Sequence, residues 1–179
     1  MLPFAGRYVG VIYLYHGTDL DFDTPIPERG RKGTDFGQGF YLTPHLESAV
    51  NMAHRVARRK NSLESVVMCY SLDENQLVSA GLRIRSFLNI EPGWLRFVVA
   101  NRYFQEDAPD HNLDKRWDVV HGFIADDRIV RLLDALVKGT TTEESVLRTL
   151  LVSRFKSVQY SFHSAMAVSL LKRIEVKHV

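Results

Sequence analysis

The chain has 179 residues, 45% hydrophobic and 25% charged, with 23 Lys and Arg against 21 Asp and Glu for a net charge of +2. Those proportions exclude a disordered chain and a disulfide-stapled miniprotein, and they predict one domain over residues 1–179 with roughly 70% of the unfolded chain's surface buried. A charge so near balance does not demand nucleic acid or an anionic membrane as partner, and the single Cys69, with scattered histidines, offers neither an internal disulfide nor a zinc site, which suits a reducing, cytoplasmic compartment.

In chain order, Tyr8 to Tyr15 is rich in β-branched and aromatic residues and runs into His16-Gly17-Thr18, so a strand is predicted to end at His16. The apolar stretch Val9 to Tyr15 is far too short to span a bilayer, and Arg7 precedes it without a cleavage site. Asp19 to Arg29 carries two prolines and several acids, and Gly30 to Gly39 holds four of the 11 glycines. Together they predict a long loop.

Phe40-Tyr41-Leu42 reads as a short strand, and Thr43-Pro44 as an N-cap followed by proline at the first helical position. The helix so predicted turns Leu46, Ala49, Val50, Ala53, Val56 and Ala57 inward. Arg55, Arg58, Arg59 and Lys60 lie among its polar positions and near its C-terminal end, where they complement the helix dipole on a solvated face; an RNA-binding patch is the other reading.

Val66–Leu72 and Leu82–Phe87 read as strands, Pro92–Phe104 as a helix carrying Trp94, Phe97 and Val98 inward, and Trp117–Ala125 as a buried strand. A helix from about Asp127 to Val137 sets Ile129, Leu132, Leu133 and Leu136 on one face. Thr141 and Glu144 have capping-box spacing before Val146, Leu147, Leu150 and Leu151. Ser157–His163 is strand-like, Ser164–Leu171 a short helix and Arg173–Lys177 an edge strand. Strands and helices interleave without regular βαβ alternation and without repeats or linkers, so the predicted class is α+β.

Several chemistries lack their motifs. Gly33 to Gly39 has neither the Gly-Lys-Ser/Thr ending of a P-loop nor the glycine spacing of a dinucleotide-binding turn, and there is no two-His helical metal motif and no nucleophile elbow. No metal site is expected. What remains is a strand ending in His16-Gly17, a glycine-rich loop and Gly39-Phe40-Tyr41-Leu42-Thr43 leading into a helix. Clustered glycines let backbone approach a ligand and leave amides free to bind it, which fits a ligand with phosphates and a flat ring.

The order Tyr15-His16-Gly17-Thr18, then Gly37-Gln38-Gly39-Phe40-Tyr41-Leu42-Thr43, then Ala49 in the next helix, resembles the His-Tyr-Glu branch of the ADP-ribosyltransferases, the branch of diphtheria toxin and the poly(ADP-ribose) polymerases. The chain looks closest to a group of small bacterial members. In that group the likeness continues through Trp117 to Arg128 and ends in Gln159-Tyr160-Ser161-Phe162-His163. It implies a split, mixed β-sheet core with flanking helices and an NAD-dependent transferase moving ADP-ribose to a macromolecular acceptor, protein or nucleic acid, with release of nicotinamide. Such domains are commonly toxins held by a small antitoxin, which makes an antitoxin an expected partner and a membrane not one.

Carried over residue by residue, the resemblance implies that His16 hydrogen-bonds a ribose hydroxyl of NAD, Gly17 holds the carboxamide through its backbone and Tyr41 stacks on the nicotinamide. Thr18, Gly39 and Phe40 fall in the same NAD-binding motifs, and Arg31, with Lys32, is expected to neutralise the NAD diphosphate or a charged acceptor. Gln159 stands where the branch usually has a catalytic glutamate. A glutamine amide positions a hydroxyl but is no general base, so transfer of one unit, or hydrolysis, is expected rather than chain elongation. Asp126 or Asp127 supplies the missing carboxylate or caps the following helix.

Each residue also has an ordinary reading: His16 as a satisfied structural histidine, Tyr41 as a core aromatic, Arg31 and Lys32 as loop solubility. Gln159, Ser161 and His163 alternate onto one strand face, either solvent or site, while His121 interrupts a buried strand and reads as structural. The alternative functions are an NAD-binding module without turnover, an NAD glycohydrolase, and a nucleic-acid binder with no NAD chemistry.

Overall fold

A computed structural model describes residues 10–125, 127–152 and 157–179, with Asp127 described by its backbone alone. Strand β1 (Val11–Thr18) leads through a loop with one 3-10 turn (Pro27–Arg29) to β2 (Phe40–Leu42) and helix α1 (Leu46–Lys60). There follow β3 (Val66–Asp73), α2 (Glu74–Ser79), β4 (Ile84–Phe87), α3 (Pro92–Arg102) and β5 (Val119–Phe123). The chain closes with α4 (Asp127–Val137), α5 (Glu143–Leu151), β6 (Val158–Phe162), α6 (Ala165–Ser169) and β7 (Lys172–His178).

The strands form two sheets, ordered β1-β3-β7 and β2-β6-β5-β4. The first is antiparallel, while β4 and β5 pair in parallel and make the second mixed. The class is α+β.

Alternation along the strands divides the interior in two. Tyr160 and Phe162 of β6, with Phe40 and Leu42 of β2, meet Leu14, Met68, Tyr70 and Leu72 of the first sheet in one core. On its other face the second sheet presents Phe87 and Val120 to Trp94, Phe97, Leu133, Val146 and Leu150 of α3, α4 and α5. Trp94, fully buried, donates its indole N–H to the Phe123 carbonyl at 2.7 Å and so fixes α3 to the end of β5. Helix α1 lies instead on the first sheet, where Ala49, Ala53 and Ala57 are buried. The helix backbone comes so close that position 17 must be glycine, since a Cβ there would stand 1.9 Å from the Ala49 carbonyl oxygen.

Several expected boundaries move. The first strand does not end at His16 but runs through Gly17 to Thr18, because pairing with Val67 and Val66 continues the ladder. Thr43 is not the N-cap of α1: its backbone N–H and C=O are both bonded to Tyr15, so the helix begins after His45 and Leu46 is 40% exposed. Helix α3 stops at Arg102, with Gln105 N–H bonded to the Ala100 carbonyl and Phe104 in the left-handed region at φ 55°. The capping residue of α5 is Thr142, not Thr141; its hydroxyl accepts from Ser145 N–H. The strand predicted over 117–125 contracts to β5, and α2 and the 3-10 turn, too short for a periodic signal, were not expected.

Candidate functional site

Among the described residues the backbones of the two sheets are joined where Tyr15 and Thr43 exchange hydrogen bonds of 2.8 and 2.9 Å. Were the ladder to continue, Gly17 would face Tyr41. It does not: the His16 ring reaches the Tyr41 carbonyl through Nδ1 at 2.8 Å, and no backbone bond joins Gly17 to Tyr41 among the described residues. Backbone groups alternate sides along a strand, so Gly17, two residues after Tyr15, turns its N–H and C=O away from β3 and into this split.

His16 therefore carries its proton on Nδ1, because a carbonyl can only accept, and Nε2 is left as an acceptor. Burial pushes the ring's pKa below the usual value, partly countered by the bond to Tyr41, so the neutral form holds at neutral pH. The ring packs in a cluster with Phe40, at 4.5 Å between centroids, and Phe22, at 5.9 Å, which are themselves 6.0 Å apart. Phe40 itself is a core residue that supports His16. Thr18 is buried, and its hydroxyl donates to Asp19.

Tyr41 sits on the opposite face of β2, half-buried, with its ring parallel to Phe36. Its hydroxyl accepts from Phe36 N–H at 3.1 Å and donates to Thr34 Oγ1 at 2.9 Å, while Thr34 donates to the Gly37 carbonyl. Burial holds this phenol well above its ordinary pKa, so Tyr41 is a fixed aromatic surface and not an acid. Gln159, half-buried on β6, lies one step past the Leu42–Tyr160 pair and thus alongside Thr43, on the Tyr41 face. His16, Tyr41 and Gln159 are thereby borne on three adjacent strands, β1, β2 and β6.

Neighbouring positions divide sharply. Ser161 and His163, on the Gln159 face, are buried and not solvent-facing. His121 is buried against Tyr160, with ring centroids 4.1 Å apart. Arg31 and Lys32 are exposed, and Arg31 is close enough to act electrostatically on Asp35. Asp126 and the side chain of Asp127 lie outside the described residues. A cleft of about 620 Å³ lies elsewhere, along Phe104 to Ala108, and contains none of the expected site residues. Among the described residues no cluster of three or more His, Cys, Asp or Glu could hold a metal ion, and no helix is long and apolar enough to cross a membrane.

What sequence reasoning missed is the set of side chains that hold the glycine-rich loop. Asp35 is buried, paired through Oδ1 with Arg102 at the end of α3, and accepts from Ala125 N–H through Oδ2 at 2.6 Å. Burial raises its pKa and the Arg102 charge opposes that rise. Asn112 bridges from the Phe36 carbonyl to both backbone groups of Trp117, and Asn101 accepts from Asn112 N–H. His163 holds the Gln38 carbonyl at 2.9 Å. The glycines serve this packing: a Cβ on Gly30 would stand 2.1 Å from Gly39 O, and one on Gly39 would stand 2.6 Å from the His163 ring. The one available signal was an aspartate amid glycines and an arginine ending an apolar helix, 67 residues apart.

No curated protein and no solved structure gives a significant match to the chain. A family model does match, over residues 12–173, which spans every site residue named above. The chain belongs to that family, DUF3990, described as proteins of unknown function.

Proposed function

We propose that the protein is an NAD-dependent mono-ADP-ribosyltransferase with an ADP-ribosyltransferase-like split sheet. The observation that carries this reading is the split itself, where His16, with Nε2 left as an acceptor, is followed by Gly17, whose N–H and C=O turn away from β3. A ribose hydroxyl can donate to the nitrogen, and a primary carboxamide matches a backbone donor and acceptor presented together. Tyr41 offers an aromatic surface one strand away, with a cation-π preference of about 0.5–2 kcal/mol for a pyridinium ring.

In the reaction the bond between ribose C1′ and the nicotinamide nitrogen breaks, and its electron pair leaves with nicotinamide. The sugar passes through an oxocarbenium-like state, a lone pair of the acceptor forms the new bond to C1′, and the acceptor's proton goes to solvent or a base. Ground-state stacking adds affinity and not rate, so catalysis rests on a pre-set ribose geometry. Gln159 supplies an amide for a ribose hydroxyl and no general base. That amide favours single-unit transfer over elongation, and it is also the observation behind the second reading, an NAD-binding module or NAD glycohydrolase.

Titration calorimetry with NAD tests the binding half. Saturable binding is expected, weakened at least tenfold by His16→Ala and by Tyr41→Ala. If the folded wild-type chain takes up no NAD, the reading fails, and a protein without NAD chemistry, such as a nucleic-acid binder, replaces it.

A further inference from the structure

His163 is 1% exposed, and the mechanism above does not use it. It lies just past β6, with its backbone N–H bonded to the Asp118 carbonyl at 2.8 Å. Its Nδ1 is 2.9 Å from the Gln38 carbonyl and its Nε2 2.9 Å from Ser161 Oγ. Burial pushes its pKa down to about 4, so the ring is neutral and carries one proton. A carbonyl only accepts, which places that proton on Nδ1 and leaves Nε2 as an acceptor; the Ser161 hydroxyl beside it also lies 3.1 Å from the Val120 carbonyl and has one proton to give. Ser161 is in turn the residue paired with Tyr41 across β2 and β6. Gly39 lies flat against the same ring, because a Cβ there would be 2.6 Å from Nδ1. The Tyr41 ring meets the imidazole edge-on at 6.4 Å.

One buried ring thus meets the peptide before β2, the glycine that opens onto β2, and the aromatic that β2 presents. We propose that His163 is a positioning residue, whose Nδ1–H bond to the Gln38 carbonyl sets the Gln38-Gly39 peptide and, through it, the placement of Tyr41 for NAD. The inference rests on the NAD-binding reading and assigns to that site a residue which itself touches no ligand. It also accounts for Gly39 by packing instead of ligand approach.

Two substitutions separate this role from the filling of space. His163→Asn keeps an N–H donor near the Nδ1 position but is much smaller, whereas His163→Gln is closer to histidine in volume and carries its amide out toward Ser161. Calorimetric titration of each full-length variant with NAD, after far-UV circular dichroism confirms folding, is expected to rank affinity as wild type, then H163N within about threefold, then H163Q weaker by tenfold or more. The reverse order, with H163Q tighter than H163N, or equal affinity for all three, overturns the proposal while leaving NAD binding intact. Absence of NAD binding by the wild type overturns the function and this inference together. Should neither variant fold, long-range ¹⁵N NMR of the wild-type imidazole decides. The Nδ1–H tautomer, with His163 resonances that shift on NAD addition, is expected; an Nε2–H tautomer, or no shift on saturation, overturns it.

Discussion

Single side chains in this protein act mainly by fixing one another's protonation and placement. His16 and His163 each donate from Nδ1 to a backbone carbonyl, so both are set in one tautomer before any ligand arrives. Their depressed pKa values couple to stability. For His163 the ordinary value is 6.5 and the folded value about 4, so below pH 6.5 the unfolded chain takes up a proton that the folded chain refuses. Above pH 6.5 this contributes nothing to the pH dependence. Between pH 6.5 and 4 it removes up to about 3 kcal/mol. Urea unfolding of wild type and H163N at several pH values is expected to show a stability difference that shifts toward the variant as pH falls through that window; a pH-independent difference contradicts the assignment. Gly17 is a second residue-scale case. Gly17→Ala drives a methyl into the α1 backbone at Ala49 and is expected to cost about 3 kcal/mol or more, read as a lowered urea midpoint.

At the scale of elements, the glycine-rich loop is held by parts of the chain remote from it. Asp35 joins it to the end of α3 through Arg102 and to the end of β5 through Ala125 N–H. Breaking such a buried pair strands a charge, so Arg102→Leu is expected to destabilise by about 3–5 kcal/mol. Adding Asp35→Asn should recover part of that, because the orphaned carboxylate is gone; thermal unfolding of both variants and the double variant checks it. These links explain what periodicity shows and what it conceals. Strand β3 and helix α4 are legible because burial writes a local pattern, all but continuous in β3 and one-faced in α4. Thr43-Pro44 misleads because its capping signal is local while the fate of its backbone, bonded to Tyr15, depends on a strand 28 residues earlier. The end of β1 misleads likewise: Gly17 looks like a turn residue, but it is glycine because α1 lies against it.

Over the whole molecule, balanced composition and interleaved patterns make the α+β class legible, and the motifs around His16, Tyr41 and Gln159 lead to three strands that the fold does set side by side. His163 lies in the quoted Gln159–His163 motif, whereas the other supports, Asp35, Asn101, Arg102 and Asn112, carry no motif, because each works through a contact between segments that no local pattern links. The arginines of α1 are exposed, Arg55, Arg58 and Arg59 bordering solvent, and Lys60 pairs with Asp19. Neutralising Arg58 and Arg59 together is therefore expected to leave NAD affinity within about twofold, measured by calorimetry. The central claim is that the split between the two sheets performs chemistry on NAD. Its most direct test is to incubate the purified chain with NAD labelled in the adenylate half, together with cell lysate, and to follow free nicotinamide and label on macromolecules. The account predicts nicotinamide release with matching label transfer, both lost in His16→Ala and Tyr41→Ala. No nicotinamide from a folded wild-type protein that binds NAD, or release that both variants retain, would contradict it.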